Sequence, residues 1–241
     1  MWAIIPVKDL AGAKARLAPI LAPQERQGLF RAMLGDVLAA LGQTPSLEGV
    51  AMITRDDEAA AMAAGIGAEV IPEDANSGQT DAVTHGVRTL LARGVHSILQ
   101  VPGDVPLATA GEFEQVIHAH AGGQAEAADE GAGEPAHHLP LMTIVPARDK
   151  QGSNCVVCSP PDAVPLRFGD NSFFPHLDAA RAAGIHPRVV ELPGLGLDID
   201  TPEDLAELIA RSVGDMGPAG AQHYLAESGI AARLAAARDT V

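Results

Sequence analysis

The chain has 241 residues and a formal net charge of −15, because 31 acidic side chains face only 16 basic ones. Apolar residues make up 47% of the sequence, which is typical of a globular protein and excludes an intrinsically disordered chain. The acidic balance disfavours binding to nucleic acid or to an anionic membrane surface. Two cysteines exclude a disulfide scaffold, and no apolar run approaches the roughly 20 residues that span a bilayer. With no signal-peptide pattern at Met1, the sequence predicts a cytoplasmic protein.

Short apolar segments alternate with segments of helical periodicity along most of the chain. The predicted strands are residues 3–7, 50–54, 69–71, 97–101, 139–145 and 188–192. The predicted helices are residues 24–43, 56–65, 80–92, 112–121, 173–183 and 202–212. This alternation predicts an α/β fold, in which a mostly parallel sheet is sandwiched between helices.

Two segments depart from the alternation. Residues 122–138 are small, polar and acidic without apolar periodicity, and they are interpreted as a mobile insertion rather than a linker because a strand follows at once. Residues 214–241 are alanine-rich and predict a tail of one or two helices packed on the surface or on a partner. The sequence therefore predicts one domain over residues 1–213, followed by a helical tail.

The loop after the first predicted strand is basic in an acidic protein. Lys8, Lys14 and Arg16 lie within nine positions, with Gly12 between them. Such a loop suits a phosphate group, because cations neutralise its charge and a glycine lets backbone N–H groups approach. The alternative is a solvated basic loop, and the Gly-Lys-Ser/Thr ending of a Walker P-loop is absent.

Three aspartates lie where strands of a parallel sheet would end. Asp104 follows an apolar strand, and Asp198 and Asp200 are spaced so that an extended segment points both to one side. Two such carboxylates can bind one hard cation. Helix capping is the alternative, but Thr201 and Asp204 already supply a capping arrangement before the next helix. Acids at strand ends beside a cationic loop are the pattern of a Mg²⁺-nucleotide site.

Two further motifs have ordinary explanations when considered alone. The segment 167–173 opens a helix with a glycine-containing turn, which favours anions, but an ordinary serine N-cap at Ser172 explains it better. Cys155 and Cys158 have CxxC spacing without the second pair that a four-ligand zinc site needs. The flanking prolines do not suggest the helix start of a redox motif, so strand residues are the favoured interpretation.

Taken together and in order, these segments resemble the 2-phospho-L-lactate guanylyltransferase family of coenzyme F420 biosynthesis. The resemblance covers about Met1 to Ile209 and rests on IPVKDLAGAKARLAPILAPQER, EDANSGQTDAVTHG, VPGDVPL, GSNCVV, RFGDNSFFPHLDAARAAG and LGLDIDTPEDL. It implies the single-domain nucleotidyltransferase fold, a three-layer glycosyltransferase-A-like (Rossmann-like) sandwich. It also implies GTP as donor, Mg²⁺ as cofactor and hand-off of the product to a downstream transferase.

The resemblance also implies residue roles. The family's metal-binding acids match Asp104, Asp198 and Asp200, which with Lys14 form the expected catalytic set. The expected GTP contacts are Lys8, Gly12, Lys14, Arg16 and Gly78, and the expected acceptor contacts are Ser153, Asn154, Gly169 and Ser172. The chain departs from the family at Gly78-Gln79-Thr80, where the family usually has Gly-Leu-Asn, and around the acceptor contacts.

The family's reaction agrees with the residues present. An acceptor phosphate attacks the α-phosphorus of GTP and needs no general base, which accounts for the lack of a nucleophile motif. Among 2-phospho-L-lactate, phosphoenolpyruvate and 3-phospho-D-glycerate, the sequence favours 3-phospho-D-glycerate. The small residues 155–158 predict a roomier pocket, and Asp170 and Asn171 add polar groups to it.

Other hypotheses remain open from the sequence. The protein could be another nucleotidyltransferase of the same fold, acting on a sugar phosphate or molybdopterin. It could also be a non-catalytic nucleotide-binding module or a CxxC redox protein. The alanine-rich tail and acidic surface are compatible with a homodimer.

Overall fold

The structure, a computed structural model, describes residues 1–73, 78–130, 140–169, 171–211 and 220–238. Its strands are β1 (Trp2–Pro6), β2 (Gly49–Thr54), β3 (Glu69–Pro72), β4 (Ile98–Gln100), β5 (Leu141–Pro146), β6 (Ser153–Ser159) and β7 (Arg188–Val189). Its helices are α1 (Pro23–Gly42), α2 (Asp57–Gly65), α3 (Gln79–Leu91), α4 (Ala110–Glu130), α5 (Phe173–Ala182), α6 (Pro202–Ala210), α7 (Ala221–Glu227) and α8 (Ile230–Arg238). A short 3₁₀ helix spans Ala15–Leu17.

The strands form one sheet in the order β3-β2-β1-β4-β6-β5-β7. Strand β1 pairs in parallel with β2 and β4, and β5 pairs in parallel with β7. Strand β6 is antiparallel to both of its neighbours, β4 and β5. The prediction of a mostly parallel sheet is therefore confirmed, and one reversed strand lies inside it.

Helices cover both faces of the sheet and make three layers. Successive residues of β1 point to opposite faces. Ile5 accordingly joins a core that includes Leu34 of α1 and Phe113 of α4, whereas Ile4 joins a core that includes Val87 of α3. Both cores are mainly aliphatic, in keeping with the low aromatic content of 3%.

The predicted insertion at 122–138 is wrong over its first part. Helix α4 does not end near residue 121 but continues to Glu130, and residues 131–138 lie outside the described part of the chain. Gly122 and Gly123 suggested that the helix ends here, but a glycine is present at position 123 because of a contact with the sheet. A Cβ at this position would lie 3.1 Å from Leu141 and 3.4 Å from Arg188, so the glycine lets the helix approach β5 and β7 closely.

The tail is helical where the structure describes it, and it packs on α1. Leu225 and Ile230 are buried in a third apolar cluster with residues of α1 and α6. The ring of Tyr224 covers Gly28, where an added Cβ would lie 2.3 Å from the tyrosine hydroxyl oxygen. Asp36 of α1 accepts a hydrogen bond of 2.7 Å from the Ala221 amide. Within the described ranges, no helix combines the length and apolarity that crossing a membrane requires.

Candidate active site

The basic loop leaves β1 and is fixed at both ends by buried leucines. Leu10 is buried, and its amide donates a hydrogen bond of 3.0 Å to Asp56, the residue that also caps α2. Leu17 is buried at the end of the 3₁₀ helix. Between these anchors, Lys14 adopts a left-handed backbone conformation with φ of 57°. A non-glycine residue rarely adopts this conformation, and such residues concentrate at functional sites.

The Lys14 ammonium bridges two of the predicted acids. Its Nζ lies 2.5 Å from Oδ2 of Asp104 and 2.7 Å from Oδ1 of Asp200, and its side chain is only 4% exposed. Burial acts to lower the pKa of Lys14, but the two carboxylates outweigh it and the pKa is raised. Burial likewise acts to raise the pKa of Asp200, which Lys14 and then Arg16 bring below its ordinary value. Lys14 and Asp200 are therefore both charged at neutral pH.

The third acid, Asp198, lies beside this pair. Nδ2 of Asn154 donates hydrogen bonds of 3.0 Å to Oδ1 of Asp198 and to the backbone oxygen of Leu195. Burial, and then the negative charges of Asp104 and Asp200, raise the pKa of Asp198 to about 6. The fold thus holds the Asp104 and Asp200 carboxylates close enough to Asp198 to oppose its ionisation.

Helix capping does not explain these acids. Thr201 and Asp204 form the predicted capping box of α6, with the Thr201 amide donating to Asp204 over 2.8 Å. The sequence-based argument that Asp198 and Asp200 are not needed as caps is therefore confirmed.

Two connected cavities meet at the acids. The first, the Lys14 lobe, measures about 520 Å³ and is lined by Lys8, Gly12, Lys14 and Phe30 among others. The second, the Ser153 lobe, measures about 280 Å³ and includes the strand β6 residues Ser153 and Asn154 and the turn before α5. Both lobes are lined by Arg16, Gln79, Pro102, Asp104 and Asp200. This shared wall is a place where two ligands could meet beside a cation and carboxylates.

Most of the predicted site residues line this cleft, with one exception. Lys8, Gly12, Lys14 and Arg16 line the Lys14 lobe, and Ser153, Asn154, Gly169 and Ser172 line the Ser153 lobe. Gly78 lines neither lobe. It precedes α3 with a φ of 112°, and its neighbour Gln79 lines both lobes instead.

The interpretation of Ser172 as an ordinary N-cap is wrong. Ser172 occupies the N-cap position of α5, but its side chain makes no capping hydrogen bond. Its Oγ instead accepts a hydrogen bond of 3.1 Å from the Ser153 amide, and both serines line the Ser153 lobe. The Ser172 side chain thus binds strand β6 rather than its own helix.

Sequence reasoning missed His176, which lies behind this wall. Its Nδ1 is 2.9 Å from Oγ of Ser153, and its Nε2 accepts a hydrogen bond of 2.9 Å from the Arg167 amide. Burial lowers the pKa of His176 to about 4, so the ring is neutral. The available signal was helical spacing, since His176 follows Ser172 by four residues and therefore lies on the same side of α5.

Cys155 and Cys158 are strand residues, as the sequence favoured. Three positions apart on β6, they face opposite sides of the sheet, and each is packed in a different core. Burial raises the pKa of Cys158 to about 12 and also raises that of Cys155. Because the two thiols lie on opposite faces of the sheet, they do not face each other as a redox-active pair would, and the redox hypothesis is disfavoured. Residues 155–158 line neither lobe, so the expectation that they enlarge the pocket is wrong, and Asp170 lies outside the described residues.

The acids fit a hard divalent cation such as Mg²⁺. Oδ1 of Asp104 is buried and has no hydrogen-bond partner among the described residues, so it is available as a ligand. Within those residues, no three acidic, histidine or cysteine side chains already surround one metal position. The Lys14 ammonium instead pairs with Asp104 and Asp200. A cation at this site would have to share these carboxylates with Lys14.

Solved structures share this architecture. A putative nucleotide-diphospho-sugar transferase from Desulfovibrio desulfuricans superposes with a TM-score of 0.73 over 97% of each chain, at 15% identity. A nucleotidyl transferase from Methanothermobacter superposes with a TM-score of 0.57 over 88% of this chain and 97% of that one, at 17% identity. These likenesses confirm the predicted single-domain nucleotidyltransferase fold of the glycosyltransferase-A-like type.

The sequence relatives of this chain are also nucleotidyltransferases, and those named below are guanylyltransferases. The family model described as "Guanylyl transferase CofC like" matches residues 1–129 and 137–238. A phosphoenolpyruvate guanylyltransferase from Conexibacter woesei is 34% identical over 87% of this chain and 88% of its own length. A 2-phospho-L-lactate guanylyltransferase from Methanothermobacter thermautotrophicus is 32% identical over 88% of this chain and 85% of its own length. The chain is a nucleotidyltransferase and belongs to the CofC-like guanylyltransferase family.

Proposed function

We propose that this protein transfers GMP from GTP to the phosphate of a three-carbon phospho-acid and releases pyrophosphate, as a step of coenzyme F420 biosynthesis. The observation that carries the proposal is the shared wall of the two lobes. Asp104, Asp200 and Arg16 border both cavities, and the Lys14 ammonium bridges the two acids. A nucleotide in one lobe and an acceptor in the other would meet at these charges.

The larger Lys14 lobe suits GTP. It brings Lys8, Lys14 and Arg16 to one cavity, and cations of this kind neutralise a triphosphate. An added Cβ at Gly12 would touch nothing within 4 Å, so the position is open to an approaching ligand. Gln79 is the contact from α3, and Gly78 is assigned the indirect role of starting that helix.

The smaller Ser153 lobe suits a compact anion. Ser153 and Ser172 supply hydroxyl groups, and Gly169 has a φ of 142°, which a residue with a side chain would rarely adopt. Arg16 reaches this lobe as well as the Lys14 lobe. A phosphate and a carboxylate on a three-carbon frame would find a hydroxyl donor, Ser153, and a cation here.

The reaction then needs alignment and charge neutralisation. An oxygen of the acceptor phosphate attacks the α-phosphorus of GTP, a new P–O–P bond forms, and the bond to the β-phosphate breaks as pyrophosphate leaves with its electron pair. The attacking phosphate is already ionised at neutral pH, so no side chain needs to remove a proton. Lys14 and Arg16 stabilise the negative charge that spreads over the transferred group.

Mg²⁺, held by Asp104, Asp198 and Asp200, would supply further neutralisation of the triphosphate when bound. Asn154 contributes by fixing Asp198, because its amide is held at the same time by the backbone of Leu195. The three carboxylates would hold the cation, which would share Asp104 and Asp200 with Lys14.

We propose phosphoenolpyruvate as the preferred acceptor. Three relatives at 34% identity carry that name. The preference for 3-phospho-D-glycerate drew on small residues 155–158, which line neither lobe, and retains only the polar side chain of Asn171 in the Ser153 lobe. 2-Phospho-L-lactate has the same charged groups and is the third candidate.

Competition among the three acids tests the proposal. The protein is incubated with GTP, Mg²⁺ and equal concentrations of the three acids, and the products are identified by mass. The expected result is a GMP adduct of phosphoenolpyruvate as the main product. A dominant adduct of 3-phospho-D-glycerate would overturn the acceptor choice, and no adduct with any of the acids would overturn the proposed function.

A further inference from the structure

Behind the Ser153 lobe, a histidine fixes the direction of a hydrogen-bond network. His176 is 1% exposed and Ser153 is 7% exposed, so water does not compete freely for their polar atoms. The Arg167 amide can only donate, and it donates to Nε2 of His176. In a neutral ring the proton must then lie on Nδ1, which therefore donates to Oγ of Ser153.

The Ser153 hydroxyl also accepts the second hydrogen bond that it makes, the one with Ser172. Ser172 Oγ donates to Ser153 Oγ over 3.3 Å, while it accepts from the Ser153 amide. A serine hydroxyl has two lone pairs and one hydrogen. Both lone pairs of Ser153 are thus occupied by His176 and Ser172, and only its hydrogen remains for a molecule in the lobe.

We infer that His176 is a positioning residue that makes the Ser153 hydroxyl an obligatory hydrogen-bond donor, so that the Ser153 lobe selects an anionic oxygen of the acceptor. The inference rests on the proposed function for the identity of the acceptor. Phe168 supports the arrangement, because its ring packs edge-to-face on the His176 ring at 5.0 Å and also lines the lobe.

A purely structural role for His176 predicts something different. The ring also ties the 167–172 turn to strand β6, and losing that tie would disturb both lobes or the whole fold. A role through Ser153 instead predicts weaker acceptor binding with GTP binding unchanged. The two ring nitrogens can be separated by substitution, because each faces a different partner.

Two matched variants make that separation. In His176→Asn the amide nitrogen can replace Nδ1 and still donate to Ser153, while the Arg167 amide loses its acceptor. In His176→Gln the longer side chain can place an oxygen where Nε2 accepts from Arg167, while Ser153 loses its donor. His120→Gln is the control, since His120 is equally buried in a separate network with Thr143 and Ser159.

The readouts are calorimetric binding of phosphoenolpyruvate in the presence of Mg²⁺ and a GTP analogue whose α,β-bridge cannot be cleaved, together with KM for acceptor and for GTP. His176→Gln is expected to weaken acceptor binding about 10-fold or more, on the scale of one hydrogen bond to a charged group. His176→Asn and His120→Gln should stay within about threefold, and KM for GTP should not change. In a Ser153→Ala background, His176→Gln should have no further effect.

Equal effects of the Gln and Asn variants, additivity with Ser153→Ala, or a parallel change in KM for GTP would overturn the inference. So would a wild-type protein that does not bind phosphoenolpyruvate. If the wild type binds this acid with the expected variant pattern but forms no GMP adduct, the proposed function fails while the role of His176 stands.

Discussion

The Lys14 ammonium lies 2.5 Å from Oδ2 of Asp104, although 90 residues separate the two in the chain. The lysine backbone is left-handed, which costs a non-glycine residue about 1 to 2 kcal/mol. The protein therefore keeps a strained residue in order to place a buried cation at the wall between two cavities. Lys150 has a similar backbone conformation in an exposed turn, so it is the burial of Lys14 between two carboxylates that distinguishes it from a residue of a solvated loop.

Asp200→Asn is expected to lower kcat/KM by at least about 10²-fold, the scale of losing one preorganised charge in an active site. The substitution keeps the shape of the side chain but removes the charge that faces Lys14 and a bound metal. Steady-state kinetics over a range of Mg²⁺ concentrations, with thermal unfolding to confirm folding, measure the effect.

Asp178→Asn is the matched control. Asp178 is an exposed carboxylate on α5 that pairs with Arg181 within its own helix. The Asp178→Asn substitution should leave both the kinetic constants and their Mg²⁺ dependence unchanged. Full activity of Asp200→Asn with unchanged Mg²⁺ dependence would show that the acid assignment is wrong.

Lys14→Met is expected to have opposite effects on metal binding and on turnover. Without the ammonium, Asp104 and Asp200 repel each other, so the nucleotide-free protein should bind Mg²⁺ more tightly and its Tm should rise further on adding Mg²⁺ than that of the wild type. Turnover should fall by at least about 10²-fold, because a cation facing the triphosphate is lost. Calorimetry and thermal unfolding with and without Mg²⁺ check the first part.

Lys150→Met serves as the control for Lys14→Met. Lys150 is exposed and pairs with Glu191 at 2.7 Å, outside both lobes. Its removal should leave the Mg²⁺-induced rise in Tm as it is in the wild type. An equal rise in Lys14→Met and wild type would contradict the competition between ammonium and metal.

Asp36→Asn is expected to stabilise the protein at neutral pH. Burial raises the pKa of Asp36 from 3.8 to about 6, while the Ala221 amide acts in the opposite direction. Its folded-state pKa is above the unfolded value, so ionisation destabilises the fold increasingly as pH rises from about 4 to about 6. After allowance for partial exposure, Asn should raise the free energy of unfolding at pH 7.5 by about 1 to 2 kcal/mol. The gain should vanish below about pH 4.

Glu25→Gln, on the same helix, should show the opposite sign. Hydrogen bonds from Arg233 and then from the Ala22 amide lower the pKa of Glu25, so its stabilising contribution is present above its ordinary pKa of 4.5 and is lost in acid. Denaturant unfolding across this pH range measures both variants. A pH-independent effect of Asp36→Asn would contradict the assigned cause.

Much of the fold could be predicted from local pattern. The apolar runs and helical spacings located most strands and helices, because each pattern is set by residues that are close in sequence. Strand β6 was not among the predicted strands, although residues 155–158 were interpreted as strand residues. The reversed direction of β6 could not be predicted, since it depends on pairing with β4 and β5 far along the chain. The extension of α4 was missed because Gly123 is conformationally a helix breaker but is needed for contact with Leu141.

The candidate site was predictable where the chemistry lies at strand ends. Asp104 follows β4, as the rule that ligands bind beyond the carboxyl ends of parallel strands predicts. The expectation that Asp198 and Asp200 also end a strand is wrong, because both lie on an irregular segment well after β7. His176 was missed because its role depends on a contact with Ser153 that only the folded chain makes. Residues 155–158 were placed at the pocket wall in error, because burial of both faces of strand β6 in the two cores is a tertiary property.

The most direct test of the account is a ³¹P NMR spectrum of the reaction of GTP with phosphoenolpyruvate, Mg²⁺ and the purified protein. Attack at the α-phosphorus predicts that the GTP signals are replaced by pyrophosphate and by the two coupled signals of an unsymmetrical diphosphate that joins GMP to the acid. Formation of GDP and inorganic phosphate would place the attack at the γ-phosphorus and contradict the account, as would GTP that remains unchanged with every phospho-acid supplied.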